Sequence, residues 1–209
     1  MKLLEKILVA TDFESASKDA LQMASALAKE FHSEIILLHV VPEVRGFPMS
    51  RGKIRKRVME KLRQIEMDLR KQGISAVEAL VRFGNPFERI IEHSEELDVN
   101  LITLGSGEIE EKFQLGTTAE RVIIYANKPV FVVKRGTPSH IRRILCPVDF
   151  SESSERALKN AIYLSLKDVP GPSYRPHGLR ASPEQLFRDG SDPRRVERKS
   201  LGEAPTTTV

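Results

Sequence analysis

Tryptophan is absent from these 209 residues, cysteine occurs once, and aromatic residues reach only 6%. A lone Cys146 excludes an internal disulfide and a thiolate metal cluster, so a reducing, cytoplasmic setting is expected. No run approaches the roughly 18 consecutive apolar residues of a membrane helix, and no membrane partner is expected. Charged Glu5 and Lys6 interrupt the opening apolar stretch, which argues against a secretory leader. An excess of one charge is also lacking. The 33 Lys plus Arg face 29 Asp plus Glu, for a net charge of +4, and the two signs interleave. That pattern suits a solvated surface, and no nucleic-acid partner is expected. The basic run Arg51, Lys53, Arg55, Lys56 and Arg57 has no interleaved aromatics to stack bases. A Gly-x-x-x-x-Gly-Lys-Ser/Thr loop is missing, which removes a P-loop hydrolase. His32, His93, His140 and His177 are scattered without metal-ligand spacing, so no metal site is expected. His39 lies inside an apolar run and reads as a core or packing residue.

What is present is a regular alternation. Apolar runs at residues 4–11, 35–41, 76–83, 99–104 and 130–134 suit strands buried on both faces. Between them lie helical patterns at residues 15–31, 53–72, 86–97 and 117–126. In the first, Leu21, Ala24, Leu27, Ala28 and Phe31 form one stripe. In the second, Ile54, Val58, Leu62, Ile65 and Leu69 do so. Alternating strand and helix implies right-handed crossovers and an α/β, doubly wound, five-stranded parallel sheet with helices on both faces. From residue 143, RILCPVDFSESSERALKNAIYL repeats KILVATDFESASKDALQMASAL at a fixed offset. Asp12-Phe13 returns as Asp149-Phe150, which apolar patterning alone would seldom restore. The expected organisation is a domain at 1–136, a linker at 137–142, and an incomplete second repeat at 143–167 holding a first strand and helix only. A tail at 168–209 holds six of the chain's 12 prolines and reads as disordered or degenerate.

In such sheets ligands bind beyond the carboxyl ends of the strands. The first strand ends in Ala10, Thr11 and Asp12, the second near Val40, and the fourth in Gly105, Ser106 and Gly107. Gly116, Thr117 and Thr118 then open a helix. Glycines allow a phosphate to approach the backbone. A helix start adds free amides, hydroxyls and the positive end of the dipole. Asp12 could accept a hydrogen bond from a ribose hydroxyl or an adenine amino group. Each piece also has a plain structural reading: a tight turn for Gly105-Ser106-Gly107, a cap for Thr117-Thr118, and a helix cap for Asp12. The glycine pattern lacks the third glycine of a dinucleotide fingerprint and follows the wrong strand for one.

Four segments, KILVATDFESASKDAL, IILLHVV, VNLITLGSG and LGTTAERVIIYANKPVFVV, make residues 4–135 resemble a universal stress protein domain. The resemblance implies an adenine nucleotide alpha hydrolase-like fold and a homodimer formed through the last strand, Val130 to Lys134. It also implies, in the nucleotide-binding members, a site that holds ATP or another adenine nucleotide, which Mg2+ could accompany. In those members the turn after the first strand, here Ala10, Thr11 and Asp12, holds base and ribose. A valine, here Val40, covers the adenine. The phosphate motif is Gly, two residues, Gly, nine residues, then Gly and Ser or Thr. This chain has Gly105 and Gly107 one residue apart, and eight residues before Gly116, so the segment is two residues short. It also carries Glu108, Glu110 and Glu111. No general base, nucleophile pair or metal centre accompanies the site, so a cytoplasmic stress-response binding and signalling module is expected rather than an enzyme. The alternatives are a nucleotide-free interaction protein of the same fold and a weak Mg2+-dependent ATPase.

Overall fold

The computed structural model describes residues 4–43, 50–107, 115–141 and 143–166. The acidic residues Glu108, Glu110 and Glu111 and the 168–209 tail lie outside them. The elements run β1 (Lys6–Ala10), α1 (Ser15–Phe31), β2 (Glu34–Val41), α2 (Arg51–Lys71), β3 (Val77–Phe83), α3 (Pro86–Glu96), β4 (Leu101–Gly105), α4 (Thr117–Tyr125), β5 (Val130–Val133) and α5 (Glu152–Leu166). The first nine build one unit and α5 belongs to another.

The sheet has the order β3-β2-β1-β4-β5, with every pairing parallel. The chain moves outward from β1 through β2 to β3, then crosses back to β4 and β5. With right-handed crossovers, that reversal sends α1 and α2 to one face and α3 and α4 to the other. Strand pleating divides the apolar residues accordingly. Leu8, Ala10, Ile36, Leu38, Ile102 and Leu104 pack with Ile90 of α3 and with Ala119 and Val122 of α4. Ile7, Val9, Ile35 and Leu37 alternate with them and are equally buried. The central strand β1 therefore has no polar face, which is why its sequence reads as a continuous apolar run.

Local chemistry sets the boundaries. Ser50 caps α2 by accepting from the Lys53 amide, so the helix starts at Arg51, two residues before the apolar periodicity begins. Pro86 opens α3 from its first turn, where a missing amide hydrogen costs nothing. His32, one of the scattered histidines, ends α1 in the left-handed conformation with its amide on the Ala28 carbonyl. Strand β5 stops at Val133, one residue short of the expected Lys134.

The repeated segment is reproduced only in part. Phe13 and Phe150 both adopt left-handed backbone, with φ of 70° and 64°. Asp12 Oδ1 accepts from the Glu14 amide at 3.0 Å, and Asp149 Oδ1 accepts from the Ser151 amide at 2.9 Å. Ser17 Oγ donates to the Glu14 carbonyl, and Ser154 Oγ to the Ser151 carbonyl, both at 3.0 Å. The Ser151 hydroxyl and amide, with help from the Ser154 hydroxyl, hold the Asp149 carboxyl at about 2. The turn and the helix thus form from local sequence. The expected first strand does not, because residues 143–149 carry no strand pairing. A strand needs neighbours to accept its ladder bonds, and the equivalent β1 has two.

Candidate functional site

The order reversal places a crevice between the carboxyl ends of β1 and β4. A cavity of about 330 Å³ opens there, at the small end of the roughly 300–1,000 Å³ range of ligand pockets. Its walls come from six elements, and α1 supplies Ser17. Strand β1 and its turn supply Ala10, Thr11 and Asp12. Strand β2 supplies Leu38, His39 and Val40, followed by Pro42. Helix α3 supplies Pro86 and Ile90, and β4 supplies Leu104 and Gly105. Gly107, Gly116 and the first turn of α4 (Thr117, Thr118 and Ala119) close the far side. Nine of the ten residues singled out from sequence meet at this cavity.

The exception is Ser106. It is buried, its amide donates to the Val133 carbonyl at 2.9 Å, and its carbonyl accepts from the Gly116 amide at 2.7 Å. Among the described residues its hydroxyl reaches the neighbouring Gly107 carbonyl, at 3.4 Å. Ser106 therefore fastens the two ends of the 107–116 segment together and is not part of the wall.

The glycines divide between packing and opening the cavity. A Cβ on Gly105 would lie 2.6 Å from the Ala16 carbonyl carbon and 2.7 Å from the Ser17 nitrogen, so glycine is required there by the close approach of α1. Gly107 has φ of 89°, a conformation that side chains avoid. A Cβ on Gly107 would meet the Gly116 Cα at 3.2 Å, and one on Gly116 would meet the Ser106 carbonyl oxygen at 3.3 Å. These two glycines let the loop ends pass face to face. Gly116 then acts as N-cap of α4 without any side-chain cap. The first amides of that helix lack intrahelical partners and lie at the cavity wall with the Thr117 and Thr118 hydroxyls. Together they favour a negative group.

The β1 turn adds a carboxylate to the same cavity. Thr11 is buried, with its hydroxyl 3.1 Å from Ser17 Oγ and accepting from the Phe13 amide at 3.1 Å. Asp12 is exposed and its Oδ1 accepts from the Glu14 amide, an Asx turn ahead of the helix; the N-cap of α1 is Glu14, with no side-chain cap, so Asp12 does not cap the helix.

Sequence reading left His39 as a core or packing residue and missed its place at the site. It is half-buried rather than sealed in the core, and it forms part of the cavity wall. Its Nδ1 lies 2.7 Å from the Thr11 carbonyl oxygen. A carbonyl only accepts, so Nδ1 carries the proton and donates. The ring stacks on Phe13 with centroids 4.6 Å apart, and the Lys61 ammonium sits 5.0 Å from the Phe13 centroid. Burial, the largest influence, pushes the imidazole below its ordinary 6.5. The hydrogen bond to Thr11 and the Asp12 charge oppose that shift, and Lys61 adds to it. A histidine two positions before the end of β2 was the available sequence signal. It identifies a strand end beside the crevice, where side chains reach neighbouring turns.

Among the described residues no group of three His, Cys, Asp or Glu could hold a metal ion. Nor is any described helix long and apolar enough to cross a membrane.

Among curated proteins none matches the chain. Several solved structures do. The hypothetical protein MJ0577 is 30% identical, with 65% of this chain and 99% of that one covered at a TM-score of 0.53. A universal stress protein from Archaeoglobus fulgidus in complex with dAMP is 24% identical over 64% of this chain and 100% of its own, with a TM-score of 0.50. A universal stress protein in complex with cAMP is 18% identical, with 64% and 98% covered and a TM-score of 0.52. The last two identities speak for the fold alone. The sequence profile described as the Universal stress protein family matches residues 4–134, the span that carries β1 to β5 and the whole cavity. The chain belongs to the universal stress protein family.

Proposed function

We propose that this protein binds an adenine nucleotide in the crevice between β1 and β4 and acts as a dimeric stress-response signalling module rather than as an enzyme. One observation carries the reading. The Thr11-Asp12 corner and the uncapped start of α4 line the same cavity. An acceptor for ribose or the adenine amino group and amides for a phosphate thus share one wall system. Val40, Pro42, Pro86 and Ile90 give the base apolar surface between them. The dAMP and cAMP complexes of two structural neighbours agree with that ligand class.

The role is read as binding because Asp12 is already engaged with the Glu14 amide, no second carboxylate lines the cavity among the described residues, and the imidazole there, His39, spends its Nδ1 on the Thr11 carbonyl. Any Mg2+ would arrive on the nucleotide phosphates. A weak Mg2+-dependent ATPase remains the enzymatic rival, and it requires turnover that disappears in Asp12→Ala. The nucleotide-free rival rests on the short Gly105 to Gly116 segment and its glutamates, whose charge disfavours a triphosphate. The homodimer would use the β5 edge.

Native mass spectrometry of freshly purified protein, together with thermal shift under ATP and AMP, separates these readings. The expected result is a bound or stabilising adenine nucleotide, with the stabilisation lost in Gly116→Leu, whose side chain would crowd the Ser106 carbonyl and Gly107. Unliganded protein with no shift for either nucleotide would leave the interaction-protein reading.

A further inference from the structure

We propose that His39 is a positioning residue that fixes the Asp12 corner of the nucleotide site by holding the residues on both sides of Asp12. The inference deepens the nucleotide reading and rests on it for its functional consequence.

The β1–β2 ladder ends at the Ala10–Leu38 pair, followed by one more bond from the Thr11 amide to the Leu38 carbonyl. Beyond that point the backbone leaves the sheet and nothing in the ladder fixes Asp12. His39 supplies the next two ties. Its Nδ1–H donates to the Thr11 carbonyl, the group directly before Asp12. Its ring stacks on Phe13, the residue directly after Asp12. Phe13 sits at φ of 70°, a left-handed state that is unfavourable for a bulky residue and persists only when its surroundings hold it. The imidazole on one contact and the Lys61 ammonium on another provide that hold. The corner is thus anchored to the end of β2 and the side of α2, and these anchors are side chains that can change state.

The charged groups facing His39 are Asp12 on the turn and Lys61 on α2. Its partner across the β2–β3 ladder is the apolar Val81. The neutral ring leaves the carboxylate free to meet a ligand. When the ring takes a proton, the new cation repels Lys61 and attracts Asp12, and the carboxylate becomes its counter-ion. Burial holds the imidazole below 6.5, so this change occurs as pH falls below that value and is complete below the folded-state midpoint.

The test uses the full chain, ATP as the probe, and two variants. His39→Asn keeps a donor at the place of Nδ1 and cannot titrate, and His39→Leu keeps bulk and loses the donor. Well above pH 6.5, His39→Leu should bind ATP about tenfold more weakly, with His39→Asn within about threefold of wild type. Wild-type affinity should fall as pH drops below 6.5, and that of His39→Asn should not. Independently of any nucleotide, the Glu14 amide resonance, which reports its bond to Asp12 Oδ1, should titrate with the His39 midpoint in wild type and stay flat in His39→Asn. Wild-type affinity in His39→Leu, or a Glu14 amide indifferent to the His39 titration, overturns the proposal and leaves the nucleotide reading standing. If wild type binds no ATP, the nucleotide reading fails and the Glu14 titration alone decides whether His39 holds the corner.

Discussion

At the residue scale, several small features of the site serve the fold before they serve a ligand. Gly105 shows this most directly, because the helix that follows β1 comes within van der Waals contact of the β4 backbone at that point. Both atoms a Cβ would strike belong to the start of α1, so neither can rotate away. Gly105→Ala must push α1 off the sheet or distort the end of β4. The expected cost is about 1–3 kcal/mol, the usual toll of overpacking a fixed backbone. Urea denaturation should show a lowered midpoint with an unchanged slope. A variant as stable as wild type would mean that α1 yields freely. Ser106 makes the same point differently, since both of its backbone groups are spent on holding neighbouring chain.

At the element scale, α2 joins a thin apolar seam to a strongly basic exterior. Of its 21 residues only Leu62 and Leu69 are fully buried, and Ile54, Val58 and Ile65 are half-covered. Leu62 is sealed at 0% exposure. Leu62→Ala should therefore cost about 2–5 kcal/mol, whereas the same truncation at exposed Met67 should cost little. Paired urea unfolding curves for the two variants would check the contrast. The seam was legible in sequence, because Ile54, Val58, Leu62, Ile65 and Leu69 recur at helical spacing, as the stripe of α1 does. Strands were equally legible, since a strand covered on both faces has to be apolar throughout. The site was legible only where backbone geometry dominates it. Thr11, Asp12, Gly107 and Gly116 mark turns, and turn residues declare themselves locally. His39 did not, because its role is set by the Thr11 carbonyl 28 positions earlier. The 143–149 segment repeats the β1 sequence but not the partners of β1, and without such neighbours it carries no strand pairing.

At the scale of the whole molecule, the first unit carries an unsatisfied surface. Strand β5 lies at one edge of the sheet and pairs only with β4. Val130, Phe131 and Val132 along it are half-buried. The neighbouring α4 exposes Ile123, Ile124 and Tyr125 at 45%, 63% and 61%. An exposed edge flanked by apolar side chains is a surface that isolated proteins usually guard with charge. Among these residues there is none, although Lys134 follows directly. A second copy placed about a two-fold axis would extend the sheet and cover both copies' α4 residues at once. This homodimer is the arrangement proposed above. Light scattering at micromolar concentration should give twice the 23.6 kDa chain mass. Ile124→Glu combined with Phe131→Arg should return the single-chain mass, with the far-ultraviolet circular dichroism of β1 to β5 retained, since neither side chain is buried in the core. A wild-type protein that scatters as one chain would instead mean that this apolar edge is tolerated uncovered, and the dimeric part of the functional proposal would fall with it.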